Sequence, residues 1–358
     1  LNRPEPMSNL NEIIFFAAFI LFILMMLGID LGLFQKKHHA LSFKEALGWT
    51  VVWVGISIGF YFLILFHGNW IHGTDTLEEL TNRITLYRHP IDITGLSLDE
   101  AIKLYNKNLS LEYITGYLIE YSLSVDNIFV IIMIFMSFNI SPKLYKEILF
   151  WGIIGAIVMR FIFIFAASAL IQRFAWFLLI FGGMLVIIGL KMAWEFLFSK
   201  AKDQIDTENH PVVRLVSRFF RVHHDEHAET FFIRKDRKLY VTPLFIVLMI
   251  IEFTDVLFAV DSVPAVFSVT QDPYIVFFSN IFAILGLRSL FFLVMDVMNR
   301  FHYLKMGLAV LLTFVGVKML LHSVVKISTS TSLLVIASIL VISMVASTIR
   351  TWLRKESR

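Results

Sequence analysis

The sequence contains no cysteine. Structural disulfides, thiolate zinc sites and iron–sulfur clusters are therefore excluded. Charge is scarce too: Asp, Glu, Lys and Arg make up 16% of the 358 residues, against about 25% in soluble globular chains. The net charge of +3 is spread over short segments, where it reports topology, and no nucleic-acid partner is expected. No nucleophile–base pair or catalytic histidine site stands out, so the chain does not read as an enzyme.

Apolar surface is what the sequence has in abundance. Hydrophobic residues make up 58%, Phe alone contributes 36, and mean hydropathy is +0.75. Several apolar runs exceed the roughly 18 residues needed to cross a bilayer as a helix. The expected fold class is an all-α polytopic membrane protein, with the lipid bilayer as its surroundings. About nine transmembrane helices are placed at 13–34, 47–67, 111–138, 146–170, 174–198, 241–268, 275–297, 304–322 and 332–350. The first run is too long for the apolar core of a signal peptide and reads as a retained helix.

Lysine and arginine set the orientation. With 199–240 in the cytoplasm, the inside segments hold most of these residues. The outside segments hold seven: Arg3, Arg83, Arg88, Lys103, Lys107, Arg173 and Lys326. The N-terminus is then outside and the C-terminus cytoplasmic. In the outside loop, 68–110, Ser97 followed by Glu100 predicts a capped helix start. In the inside loop, 230–240 alternates and predicts a short hairpin.

The chain carries an internal repeat. Glu120 to Asn127 resembles Asp255 to Ser262: an acid, five residues, a second acid after valine, then a small polar residue. Arg160 matches Arg288, each near mid-span. The run 174–191 matches 301–318, both ending Gly-(Leu or Val)-Lys-Met. Each unit has three spans, an odd number, so the second copy is inverted in the membrane. An inverted 3+3 helix repeat is a transporter signature, with the site at the repeat interface. The organisation follows: 1–110 with two helices and the outside loop, 111–198 repeat 1, 199–240 cytoplasmic loop, 241–322 repeat 2, and 323–358 the last helix and a basic tail.

Five acids fall inside spans: Glu120, Asp126, Glu252, Asp255 and Asp261. Each carboxylate costs about 2.5–3.5 kcal/mol near mid-helix on insertion scales. Arg160 and Arg288 neutralise at most two of the five. The surplus requires a wet cavity, protonation or a bound cation. Glu252 and Asp255, three apart, share a helix face. Glu120 and Asp126 lie about 120° apart on a regular helix, so a broken helix between them would let both converge. Pro264 leaves the Val260 carbonyl without its usual donor, beside Asp261. With Asn127 and Ser262 as further oxygen ligands, this donor set suits a hard divalent cation. A proton relay without metal and a structural arginine–acid network are the competing readings.

At these residues the chain resembles the TerC family of bacterial integral membrane proteins, which includes Alx-type manganese exporters within the wider LysE-like group. The resemblance rests on 116–130, 150–156, 252–269 and 279–289. It implies export of Mn2+ from the cytoplasm across the bacterial inner membrane. In some members this is linked to alkaline pH or to metal loading of secreted enzymes. A cavity with five acids would repel the tellurite oxyanion of the family name. The expected site is Glu120, Asp126, Asn127, Glu252, Asp255, Asp261 and Ser262, with Arg160 and Arg288 balancing charge. No cofactor is expected to be permanently bound, Mn2+ being substrate. The alternative is a membrane scaffold or assembly factor in tellurium-stress or secretion-linked metal-loading complexes.

Overall fold

The computed structural model describes residues 10–35, 43–138, 140–173, 176–198, 230–235, 238–297, 303–321 and 329–356. Most of the expected cytoplasmic loop, 199–229, lies outside them. So do some helical side chains, those of Asp126 and Asp261 included. The described chain is almost entirely helical: α1 (Leu10–Gln35), α2 (Phe43–His67), a 3-10 turn (Gly68–Ile71), α3 (Leu77–Tyr87), α4 (Leu98–Ser137), α5 (Tyr145–Arg173), α6 (Phe177–Phe198), α7 (Pro243–Phe267), α8 (Pro273–Leu285), α9 (Leu287–Val297), α10 (Leu304–Leu320) and α11 (Thr329–Glu356). The expected hairpin forms as β1 (Phe232–Lys235) paired antiparallel with β2 (Lys238–Val241).

By length and composition, four helical segments among the described residues can cross a membrane: Asn11–Ile29, Phe43–Ile71, Tyr145–Ile171 and Pro243–Phe267. The bent pair Pro273–Leu285 and Leu287–Met295 makes a fifth. The chain is an integral membrane protein. Its outward helix faces carry exposed Leu21, Phe66, Ile187 and Ile342, as a lipid solvent requires.

The 68–110 segment is more ordered than its sequence suggests. Thr76 and Glu79 form a full capping box that starts α3, which leaves two fewer orphan donors at that end. Arg88 ends α3 in a left-handed conformation, φ 54°. At Ser97, Glu100 accepts from both the backbone N–H (3.0 Å) and the hydroxyl (2.7 Å). From there α4 runs 40 residues without a break. That is roughly 60 Å at 1.5 Å per residue, twice a hydrocarbon core of about 30 Å. The span expected from 111 is thus the second part of a helix rooted in the 68–110 segment.

The expected break between the paired acids does not form. α4 is continuous through 120–127 and α7 through 255–262, with Pro264 accommodated in its last turn. The proline costs little there because α7 ends three residues later and Ser268 N–H donates to the Pro264 carbonyl at 3.1 Å. The break falls instead at Gly286, where α8 and α9 meet at 43°.

Every residue of α8 is buried, so the other helices pack around it. Phe278 and Phe282 stack into a cluster with Phe19 of α1 and Phe60 of α2, with ring centroids 4.3–5.9 Å apart. Elsewhere α6 and α10 press backbone to backbone. A Cβ on Gly316 would stand 2.6 Å from the Gly182 carbonyl and 2.8 Å from the Val186 nitrogen. One on Gly189 would stand 2.8 Å from the Ala309 carbonyl. Backbone cannot move aside as a side chain can. Gly316→Val is therefore expected to cost about 1–3 kcal/mol, measured as a lower unfolding midpoint of detergent-purified protein.

Candidate functional site

On a regular helix, positions i, i+4 and i+7 fall within about 40° of one line. Glu120, Ser124 and Asn127 hold those positions on α4, and Asp255 and Ser262 are likewise seven apart on α7. α5 and α8 complete the surround. Arg160 of α5 is fully buried and takes Glu120 as its ion-pair partner through one terminal nitrogen, Nη1. Nη2 reaches Asp255 Oδ1 at 3.4 Å, and Nη1 also donates to Asn280 Oδ1 of α8 at 2.6 Å. The leading acids of the two motifs thus meet at one guanidinium.

The polar atoms here are under-satisfied. Glu120 Oε2, Asp255 Oδ2, Ser124 Oγ, Asn127 Nδ2, Ser262 Oγ and Arg160 Nε are buried without a hydrogen-bond partner. Buried polar atoms are rarely left so, and an isolated one costs about 1–3 kcal/mol. These six are concentrated on α4, α5 and α7. A small cleft opens beside Asn127 and Asp255, walled also by Ile153, Thr254, Phe258 and Leu287 among others. Its polar groups are few, so a charge entering it would interact mainly with Asp255 and Asn127.

The structure places the sequence-derived residues as follows. Glu120, Arg160 and Asp255 are joined directly. Asn127 lines the cleft, and Ser262 is buried on α7. Glu252 lies one turn back along α7 with its carboxylate against Gly155 of α5, where a Cβ would overlap it. Arg288 is buried in the first turn of α9, just past the Gly286 bend. The side chains of Asp126 and Asp261 lie outside the described residues. Among the described residues, no group of three or more His, Asp or Glu is arranged to hold a metal ion.

Sequence reasoning missed Asn280. Its signal was there: Ser279 and Asn280 are the only polar residues between Ile275 and Leu287 in an otherwise apolar run. It also missed a second buried polar cluster at the end of the bundle where the 68–110 segment packs. His72 Nε2 meets Asp272 Oδ2 at 2.8 Å and Nδ1 meets Glu12 Oε1 at 3.1 Å. Arg83 pairs with Glu12 Oε2 at 3.0 Å. Nearby, Glu112 receives His89 at 2.9 Å, Asn108 at 2.7 Å and Thr270 at 2.6 Å. Burial alone would lower the pKa of His72. The Asp272 and Glu12 charges and hydrogen bonds outweigh that and raise it to about 9. Glu112 raises His89 against burial in the same way. Asp272 is held below its ordinary value, the His72 charge overcoming burial. The cluster ties α1, the 3-10 turn, α3 and the α7–α8 connection to α4.

Comparison with known proteins places this geometry in a lineage. Residues 105–358 match the integral membrane protein TerC family. An uncharacterized membrane protein of Myxococcus xanthus is 41% identical over 335 residues, 93% of this chain and 92% of that protein. A protein of Escherichia coli K12 named "Putative membrane-bound redox modulator Alx" is 38% identical over 340 residues, 95% of each chain. A membrane protein of Rickettsia bellii is 36% identical over 341 residues, 95% of this chain and 98% of that protein. No solved structure matches.

Proposed function

The chain belongs to the TerC family of integral membrane proteins, and from that premise we propose that it exports a hard divalent cation, Mn2+, from the cytoplasm. The observation that carries this reading is the buried excess of acid. Glu120 and Asp255 share one arginine, Glu252 adds a third acid one turn away on α7, and a carboxylate oxygen of both Glu120 and Asp255 is without a partner. Buried carboxylates left open in this way are ready acceptors for a cation.

In this reading Glu120, Asp126, Asn127, Glu252, Asp255, Asp261 and Ser262 form the ion path. Arg160 stands in for the ion when the path is empty, and Arg288 balances charge on the second side. The expected nine spans include an inverted repeat, α4–α6 against α7–α10, with Gly189 of α6 seated on α10 and Gly316 of α10 seated on α6 as its close-packed seam. The N-terminus faces outside the inner membrane and the C-terminus the cytoplasm. Grouped carboxylates exchange protons as well as cations, which supports proton coupling. A redox effect such as the Alx name describes would act through metal supply, since the chain has no thiol.

The test is cellular manganese in cells making the wild type, Glu120→Gln, Asp255→Asn or Asp126→Asn at matched membrane levels. The wild type lowers manganese and confers tolerance. Each variant loses efflux by about tenfold or more, as loss of a charge-assisted ligand worth over 1.4 kcal/mol requires. Equal efflux from all four would overturn the reading and turn attention to a scaffold role.

A further inference from the structure

The run Phe-Trp-Gly-Ile-Ile-Gly-Ala at 150–156 has so far been given no role beyond marking the family. Its two glycines face α7 differently. A Cβ on Gly152 would rest at 3.5 Å from Ile251 Cγ2, an ordinary contact. A Cβ on Gly155 would overlap all three terminal atoms of the Glu252 carboxylate, and no other atom group is as near. The missing side chain at 155 is therefore filled by a carboxylate.

That placement has consequences for the site. Glu252 and Asp255 are three apart on α7 and share a face. Gly155 lies five residues before Arg160 on α5, the helix that brings the guanidinium to Asp255. With Gly155 bare, Glu252 lies flat against α5 and stays beside the cleft wall formed by Gly152, Ala156 and Ile251. With any Cβ there, the carboxylate must rotate away or α5 and α7 must separate. Helix backbone flanks the notch on one side, so the carboxylate is the part free to move.

We propose that Gly155 is a positioning residue: its bare Cα forms the seat that holds the Glu252 carboxylate against α5, beside the cation path. This rests on the export reading for its functional consequence, while the seat itself is a matter of packing.

The test is a cycle on the full-length protein with Gly155→Ala, Glu252→Asp and the double variant, with Gly59→Ala of α2, where a Cβ would meet nothing within 4 Å, as control. Aspartate is one methylene shorter and withdraws the carboxylate from the new methyl. Two readouts are taken: manganese efflux in cells and the unfolding midpoint of detergent-purified protein. Gly155→Ala should lower efflux by about tenfold and lower the midpoint, consistent with coupling between touching residues. Gly59→Ala should do neither. The double variant should unfold at a higher temperature than Gly155→Ala alone, and this reads the seat even where a variant does not transport. Wild-type behaviour of Gly155→Ala overturns the proposal. A midpoint loss that Glu252→Asp leaves unchanged also overturns it, because Gly155 would then serve helix contact alone. Undiminished efflux from Glu252→Gln removes Glu252 from the path and the proposal with it, whereas the export reading stands or falls on Glu120 and Asp255.

Discussion

Arg160→Ala is expected to be among the most destabilising single substitutions in this protein. The side chain is completely buried, and it joins acids from two helices far apart in sequence. Truncation leaves Glu120 and Asp255 buried without their counter-charge. Removing one partner of a buried ion pair costs about 3–5 kcal/mol, a large fraction of the roughly 5–15 kcal/mol that holds a typical domain together. Asn280 Oδ1 would lose its donor as well. The measurement is the thermal midpoint of detergent-purified protein. Two further outcomes separate the charge from the volume. Adding Glu120→Gln to Arg160→Ala should restore part of the midpoint, since it removes one uncompensated carboxylate. Millimolar Mn2+ should raise the midpoint of Arg160→Ala more than that of the wild type, because a ligand bound only to the folded state stabilises it and the arginine no longer competes. A midpoint unchanged by Arg160→Ala would mean that the guanidinium does not hold the two acids together.

Much of this centre was legible in the sequence because charge in an apolar run is a loud signal. Glu120, Asp255 and Arg160 are singled out by cost alone, and the repeat pairs the first two before any coordinate does. What spacing could not supply was which atoms meet. One helix face carries Glu120, Ser124 and Asn127, and the structure keeps that face straight where the paired acids suggested a break. The inference from Pro264 failed for a local reason: a proline three residues from a helix end removes one hydrogen bond and forces no kink. The bend went to Gly286, a residue without a side chain to pack. Asn280 was overlooked because a neutral amide is cheap enough to pass as ordinary, although on a helix buried all round it must find a partner.

The end of the bundle where 68–110 packs was the least legible part. Glu12, Glu112 and Asp272 do not stand out in the sequence, yet all three are buried and matched with His72, His89 and Arg83. These pairs span 23 to 200 positions of sequence, so no window or periodicity reports them. The capped helix start at Ser97 and the hairpin, which depend on neighbours three to ten residues apart, are the features that sequence reaches well.

That second buried cluster gives the second large expectation, a loss of stability in alkali. Both ring nitrogens of His72 face carboxylates, Asp272 at 2.8 Å and Glu12 at 3.1 Å. A neutral imidazole has one N–H and can satisfy only one of them, so the geometry requires the imidazolium. Its pKa of about 9 in the folded protein compares with an ordinary 6.5. The folded state therefore keeps a proton that the unfolded chain releases first. The resulting stabilisation is complete below pH 6.5 and is lost as pH rises towards 9. Its size is about 3 kcal/mol at 1.36 kcal/mol per pKa unit. His89 on Glu112 is raised and adds in the same sense. Asp272, held low, gives way only in acid. Arg83 remains charged throughout, and the flanking Tyr87 and Tyr274 rings, 5.3 and 5.4 Å from the imidazole, carry no charge in this range. The unfolding midpoint of the wild type should fall steadily between pH 7 and 9. His72→Gln should start lower at pH 6.5 and fall less steeply across the same interval, keeping only the part that His89 contributes. A flat wild-type profile, or a slope that His72→Gln leaves intact, would sink the assignment. The connection that His72 holds through Asp272 joins α7 to α8, the helices of Asp255 and Asn280. Loosening it in alkali therefore acts on two of the three helices whose side chains meet Arg160.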